Sequence, residues 1–183
     1  MNSTSQQFPP SPSQVTPSSM CLAALDLVRR GFAVFPVHSI RKDGGCTCGK
    51  QDCGSIGKHP KTTHGVDEAT RDEKHIKRWW MIWPDANIGI ATGKKSGCIV
   101  LDVDGAIGME SLRELEETHG PLPSTLISNT GGGGKHFFFT YDPAIGNSVG
   151  TIAAGIDTRG DGGYVVAPPS THKSGRKYQW EGK

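Results

Sequence analysis

Cys98-Ile99-Val100-Leu101-Asp102-Val103-Asp104-Gly105 is the stretch on which the reading of this chain turns. Its apolar run predicts a buried strand that ends in two carboxylates one residue apart. Residues i and i+2 of a strand project to the same face, so Asp102 and Asp104 should leave the strand end together. Hard oxygen donors grouped in this way suit Mg²⁺ or Mn²⁺. An isolated Asp-x-Asp is equally compatible with a strand-to-loop turn that carries two solvated aspartates. The remainder of the chain has to decide between the two.

Outward from this stretch, helix and strand patterns mix without regular βαβ alternation, which predicts α/β in the loose, α+β sense. Upstream, residues 87–92 (NIGIAT) read as a strand, and Gly93-Lys94-Lys95-Ser96-Gly97 as a hairpin turn into residues 98–103. Leu22, Leu25 and Val28 have helical spacing behind Pro17 and Ser18, and residues 32–37 (FAVFPV) follow as a strand. Thr70 and Glu73 form a capping box before a helix that carries Ile76, Trp79, Trp80 and Trp83 on one side, stopped by Pro84. Downstream, Met109, Leu112 and Leu115 mark a helix ending near Gly120. Residues 125–128, 135–141, 155–158, 164–167 and 178–180 are further strand candidates.

A chain of 183 residues fits one domain with a sizeable core. Residues 1–17, rich in Ser, Pro and Gln, are expected to be a disordered tail, leaving residues 18–183 as the domain. The tail has no basic segment followed by an apolar run, so it is not a signal peptide. No stretch has the roughly 18–20 apolar residues of a membrane span, and a soluble, cytoplasmic protein is expected. Net charge is only +2, which does not by itself announce a polyanion binder. Basic residues are nevertheless uneven, with Lys50, Lys58, Lys61, Lys74, Lys77, Arg78, Lys94 and Lys95 in the first half. Local basic surface of this kind serves a polyanion as readily as it forms an ordinary solvated face. The chain ends at Lys183 soon after a strand, as a domain within a longer protein would.

A second signal lies in residues 43–65, where Cys46-x-Cys48-x4-Cys53-x5-His59 places three thiols and an imidazole within 14 residues. That set matches a Cys₃His zinc site. The loop lacks an apolar core of its own, so a metal would supply its ordering energy. A disulfide reading lacks an oxidising compartment, and a redox Cys-x-x-Cys is absent. The tight Cys-x-Cys leaves His64 as a substitute ligand. Cys21 and Cys98 sit in apolar runs and are expected in the core.

The third signal is Gly131-Gly132-Gly133-Gly134-Lys135-His136 running into Phe137-Phe138-Phe139. Glycines let backbone N–H groups approach a phosphate, and Lys135 or His136 can add charge. No Gly-Lys-Ser/Thr opens a helix, so this is not a Walker A loop. Strand alternation allows only one of Lys135 and His136 onto the face that carries the chemistry, and a plain hairpin loop before a core strand is the alternative. The fourth signal is Ile156-Asp157-Thr158-Arg159-Gly160-Asp161-Gly162-Gly163-Tyr164. Asp157 completes a three-carboxylate set able to hold two divalent ions. Asp161 is a rival ligand in a context that looks like a turn.

The order of these motifs, apolar-Asp-x-Asp at 101–104, Gly-x-His at 134–136 and apolar-Asp at 156–157, resembles that of the archaeo-eukaryotic primase superfamily. More closely, residues 20–180 resemble the N-terminal domain of bifunctional DNA primase/polymerases of phages, plasmids and other mobile elements. Gly57-Lys58-His59-Pro60, Trp79-Trp80, Asn87-Ile88-Gly89-Ile90 and Pro168-Pro169-Ser170 add to the likeness. The resemblance implies a primase-polymerase fold: a mixed central sheet with an RNA-recognition-motif-like catalytic half, flanking helices and the zinc loop. It implies template-directed nucleotidyl transfer, with Asp102, Asp104 and Asp157 holding two Mg²⁺ or Mn²⁺ ions and His136 on the triphosphate. Lys135 and Arg159 are expected as further phosphate contacts, and Asn87, Gly89 and Thr92 as lining of the nucleotide pocket. The implied partners are single-stranded DNA template and primer, dNTPs or NTPs, and a helicase domain in the same full-length chain, in a bacterial host cell. The cysteine–histidine insert occurs in only part of that family, and its role is either template grip or a structural clasp. Two other readings compete: a non-catalytic zinc module that binds nucleic acid, and a haloacid-dehalogenase-like phosphatase with Asp102 as nucleophile.

Overall fold

The computed structural model describes residues 16–182, so all but the last two positions of the expected tail lie outside the described residues. Helix α1 (Ser19–Arg29) begins where Ser18 accepts a hydrogen bond from the Cys21 backbone N–H at 3.1 Å. It buries Cys21, Ala24, Leu25 and Leu27. Strand β1 (Val34–Val37) is buried throughout. Helix α2 (Glu73–Ile82) buries Ile76, Trp79 and Trp80 against α1 and β1, and the Trp80 indole N–H donates to the Ala86 carbonyl at 3.1 Å. Its cap differs from the expected box. Asp72 accepts from the Lys74 backbone N–H, Thr70 accepts from the Asp72 N–H, and Glu73 pairs with Lys77 one turn on.

Strand β2 (Asn87–Ala91) and strand β3 (Cys98–Val103) were expected to form one hairpin. They lie in different sheets. β2 sits between β1 and β8 (Tyr164–Ala167) in a three-stranded sheet. All five β2 residues are buried, which suits an inner strand covered on both faces. Residues 93–97 keep only a Gly93–Cys98 bridge and carry the chain from one sheet to the other.

The second sheet has six strands in the order β6–β7–β3–β5–β4–β9. These are β6 (Ser148–Ala153), β7 (Ile156–Arg159), β3, β5 (Lys135–Thr140), β4 (Leu126–Asn129) and β9 (Gln179–Trp180). Helix α3 (Gly105–His119) joins β3 to β4 and stops at Gly120, whose φ is 87°. The inner order β7–β3–β5–β4, with α3 between its first and second strands in sequence, is the RNA-recognition-motif-like half that the family resemblance implies. In place of the second helix of a β-α-β-β-α-β unit, the chain runs through β6, a strand the sequence reading missed. The α+β class holds. The expected mixed sheet is divided in two, and the strand pairings are antiparallel.

Alternation along β3 explains how one strand serves core and site. Leu101 and Val103 face α3, packing with Leu112, Phe137 and Ile156. Cys98 and Val100 face the other way, into the larger core built by α1, α2 and the three-stranded sheet, with Phe138 beside them. Asp102 continues that second face toward the strand end. There residues of both sheets line a cleft of about 430 Å³.

Candidate active site

Register builds the site. Asp102 is the Cα partner of His136 on β5 and of Asp157 on β7, and His136 is in turn the partner of Ser128 on β4. Directly paired residues share a face, so Ser128, His136, Asp102 and Asp157 form one polar row across four strands. Asp104 follows two residues after Asp102. It is the N-cap of α3 but its side chain makes no capping bond, and its backbone N–H donates to the Gly155 carbonyl at 2.8 Å. One donor oxygen of each of Asp102, Asp104 and Asp157 lies within 4.8 Å of the others. The β5 hairpin can approach because residue 134 is glycine; a Cβ there would sit 2.0 Å from the Val103 carbonyl oxygen.

The carboxylates are unequal. Asp157, 8 % exposed, accepts from the Gly150 N–H through Oδ1 and from Arg159 Nη2 through Oδ2, both at 2.8 Å. The Arg159 guanidinium also stands 3.5 Å from Asp102 Oδ2. Burial pushes the Asp102 carboxyl up, but His136, Arg159 and Lys58 outweigh it and hold the group below the usual carboxylate range. Asp104 is pushed the other way, by burial and then by the charge of Asp102 and of Asp157, against opposition from Lys58 and His136. Asp102 Oδ1 lies 3.3 Å from His136 Nε2 but is a buried oxygen with no aligned hydrogen bond among the described residues. A partnerless buried carboxylate oxygen, two neighbours of like charge and three converging oxygen donors fit a hard divalent cation.

The cleft wall is cationic and polar. Lys58, Thr130, Gly132, His136, Arg159 and Tyr178 line it with Asp102 and Asp104. Lys58 reaches it from the cysteine loop, whose position is tied down where Tyr164 Oη donates to the Lys58 carbonyl at 3.1 Å. Burial and the charges of Asp102 and Asp104 raise the Tyr178 phenol, so it stays neutral on the cleft floor.

Cys46, Cys48, Cys53 and His59 form a second cluster, with donor atoms all within 4.8 Å of one another. Cys46 Sγ and Cys53 Sγ lie 3.3 and 3.5 Å from His59 Nε2. Ligand atoms of tetrahedral zinc stand about 3.5–3.8 Å apart, given Zn–S near 2.3 Å and Zn–N near 2.0–2.1 Å, so the four residues fit that metal. Burial pushes the Cys46 thiol up, but N–H donors of Gly57 and Cys48 and the His59 ring draw it to about 6, favouring thiolate. His64 is exposed and pairs with Glu68, outside the cluster. Cys21 and Cys98 are buried in the core, where burial raises both thiols, Cys98 to about 11. Asp161 is a turn residue, accepting from the Lys94 N–H and from Tyr141 Oη.

Four expected nucleotide contacts are not brought to the site. Lys135 lies on the opposite face from His136, with Nζ 2.6 Å from Glu181. Asn87 is a buried clasp: its amide donates to the Gly57 and Thr171 carbonyls and accepts from the Thr171 N–H. Gly89 packs under Phe35, whose ring a Cβ would meet at 2.6 Å. Thr92 is buried and donates to the Gly160 carbonyl at 2.6 Å. Asn87 and Gly89 belong to the other sheet and Thr92 follows its strand β2, and packing uses all three up. Thr130 and Tyr178 were missed. Thr130 precedes the glycine loop, a signal that was available, whereas Tyr178 stands in a segment with no chemical pattern.

A three-carboxylate cluster on an antiparallel sheet, facing a cationic cleft beside a glycine loop, is a donor set that could hold divalent cations next to a phosphate. Residues 24–183 match the family described as bifunctional DNA primase/polymerase, N-terminal, and the chain belongs to it. That membership supports nucleotidyl transfer of the DNA primase/polymerase type. No curated protein matches the chain. Among the described residues, no helix is long and apolar enough to cross a membrane.

Proposed function

We propose that this domain extends, and in its full-length context initiates, DNA strands on a single-stranded template, using dNTPs or NTPs. The observation that carries the reading is the in-register row of His136, Asp102 and Asp157 with Asp104 at its end, opening on a cleft walled by Lys58 and Arg159. Asp102, Asp104 and Asp157 would hold two Mg²⁺ or Mn²⁺ ions. When bound, such ions lower the pKa of a 3′-hydroxyl and neutralise charge on the leaving pyrophosphate. The protein's own groups orient the reactants. His136 presents Nε2 to the triphosphate, Arg159 offers a guanidinium already fixed at the cleft wall by two carboxylates, and Lys58 adds an exposed charge at the cleft lining. Gly132, with no side chain in the way, lets backbone approach phosphate. Holding an oxygen nucleophile in line with a phosphate in this manner accounts for much of the acceleration.

The Cys₃His loop would be a structural zinc site that delivers Lys58 to the cleft. Residues 18–183 act as one catalytic unit in this reading. In this reading the activity would serve replication of a phage, plasmid or other mobile element in the bacterial cytoplasm, with a helicase region in the same polypeptide. His136 beside Asp102 has a use in nucleotidyl transfer and none in a phosphatase or a passive zinc module. The test is extension of a labelled primer with Mn²⁺ or Mg²⁺ by the wild type and by the Asp102→Ala/Asp104→Ala variant. Loss of at least about 10³-fold is expected from removing metal-held charge stabilisation; equal activity in both would sink the assignment.

A further inference from the structure

Ser128 is the member of the cross-sheet row to which the proposed chemistry gives no task. It is fully buried, and its Oγ has no hydrogen-bond partner among the described residues. Its Cα partner on one side is His136 and on the other Trp180, so it lies between the site and an aromatic edge. His136, 5 % exposed, has the same deficiency at Nδ1, while its other ring nitrogen, Nε2, stands 3.3 Å from Asp102 Oδ1. Two buried polar atoms without partners, on directly opposed residues of one face, are each costly alone and satisfy one another if they meet. A serine hydroxyl can do this by rotation about one bond, because it is both donor and acceptor.

We infer that Ser128 is a positioning residue for His136. The serine O–H donates to Nδ1, which makes Nδ1 the acceptor and places the ring proton on Nε2. Nε2–H is the tautomer required of a nitrogen that faces carboxylate and phosphate oxygens, all of them acceptors. The reverse arrangement, Nδ1–H donating to the serine, would leave a neutral ring with a lone pair aimed at Asp102 Oδ1. The hydroxyl therefore sets which way the imidazole dipole points, and the burial of Nδ1 keeps water from competing for it. The consequence for nucleotide binding rests on the reading of His136 as a triphosphate contact. The tautomer itself does not.

The experiment is long-range ¹H–¹⁵N correlation of the imidazole nitrogens in metal-free protein at neutral pH, with the His136 signal assigned by its loss in His136→Asn. Wild type is expected to show the Nε2–H pattern at His136. Ser128→Ala is expected to shift that signal toward a mixture of tautomers, and Ser128→Thr to restore it. Ser128→Cys, near in size with a weak donor, gives an intermediate pattern and a second variant should alanine unsettle the sheet. An unchanged His136 pattern in folded Ser128→Ala or Ser128→Cys, or an Nδ1–H pattern in the wild type, overturns the inference. Primer extension by the same variants separates the two levels. A rise of about tenfold in KM for the nucleotide, as for one lost hydrogen bond, with kcat less affected and threonine rescuing, supports both. A changed tautomer with an unchanged KM supports the Ser128–His136 pair and removes His136 from the triphosphate.

Discussion

The two clusters of metal-ligating side chains are held in place by opposite means. Asp102 and Asp157 are cross-strand partners in a six-stranded sheet, and Asp104 is fixed between β3 and α3. Their positions follow from backbone pairing and from the apolar packing of Val103, Ile156 and Leu112 beneath them. Cys46, Cys48, Cys53 and His59 come from one loop of turns and isolated bridges, of which only Cys46 among the four is buried. In the proposed reading the first cluster is a scaffold that waits for ions, and the second would need its ion as a scaffold. The same distinction separates metal that reacts from metal that folds.

The sharpest way to break this contrast is to strip metal. Structural zinc binds cysteine-rich peptides with roughly 10–16 kcal/mol at neutral pH, so a strong chelator, or Cys46→Ser, should give the largest effect. We expect rapid trypsin cleavage at Lys50, Lys58 and Lys61, with the two sheets still protected. Equal protection of the loop with and without chelator would show that it holds itself.

A smaller effect sharpens the link between the clusters. Lys58→Ala leaves both ligand sets intact but removes the charge the loop delivers. KM for the nucleotide should rise about tenfold, as for one charge-assisted hydrogen bond, with zinc content unchanged. An unaltered KM would detach the loop from the cleft. Smaller still is the effect on stability of the acidic site without ions. Asp104 has its carboxyl raised above the ordinary 3.8 by burial and by its neighbours' charge. The folded chain therefore holds that proton more tightly than the unfolded chain, and the stability it contributes is lost as pH rises through the raised value. At neutral pH Asp104→Asn should raise the melting temperature of metal-free protein, by no more than about 2 °C after solvent screening. The gain should vanish below pH 3.8, where both side chains are neutral. A lower melting temperature at neutral pH would mean that the acidic scaffold is not under charge strain. The smallest change is expected from Lys135→Ala. Its partly exposed pair with Glu181 contributes less than about 1 kcal/mol, and KM should not move; a raised KM would bring Lys135 back to the phosphate.

Much of the site was legible because it depends on local periodicity. Alternation alone puts Asp102 with Asp104 and separates His136 from Lys135. Side-chain chemistry alone collects the three cysteines and His59. Long-range pairing was not legible. That β2 belongs to another sheet than β3 is decided by burial on both faces of Asn87–Ala91, which a short apolar run does not announce. Asn87, Gly89 and Thr92 were therefore placed near the nucleotide by closeness in sequence, while their side chains or lack of them serve packing. Strand β6 escaped notice because Val149 and Ile152 are exposed, so no alternation of buried and solvated residues marks it. The true cap of α2, Asp72, was hidden by a better-looking Thr70–Glu73 pair.

The pairing of Asp102 with Asp157 also sets a timetable. Asp104 precedes Asp157 by 53 residues, and everything between them, α3, the β4–β5 hairpin with its glycine loop and β6, is closed into one loop when β7 docks on β3. Contacts so distant in sequence form late, after loop closure has been met by many other interactions. A nascent chain that has not yet emerged past Ile156 carries two of the three carboxylates and an unpaired edge of β3. The capacity for chemistry is thus acquired at the end of folding, and recovery of activity after dilution from denaturant should lag behind recovery of helix signal.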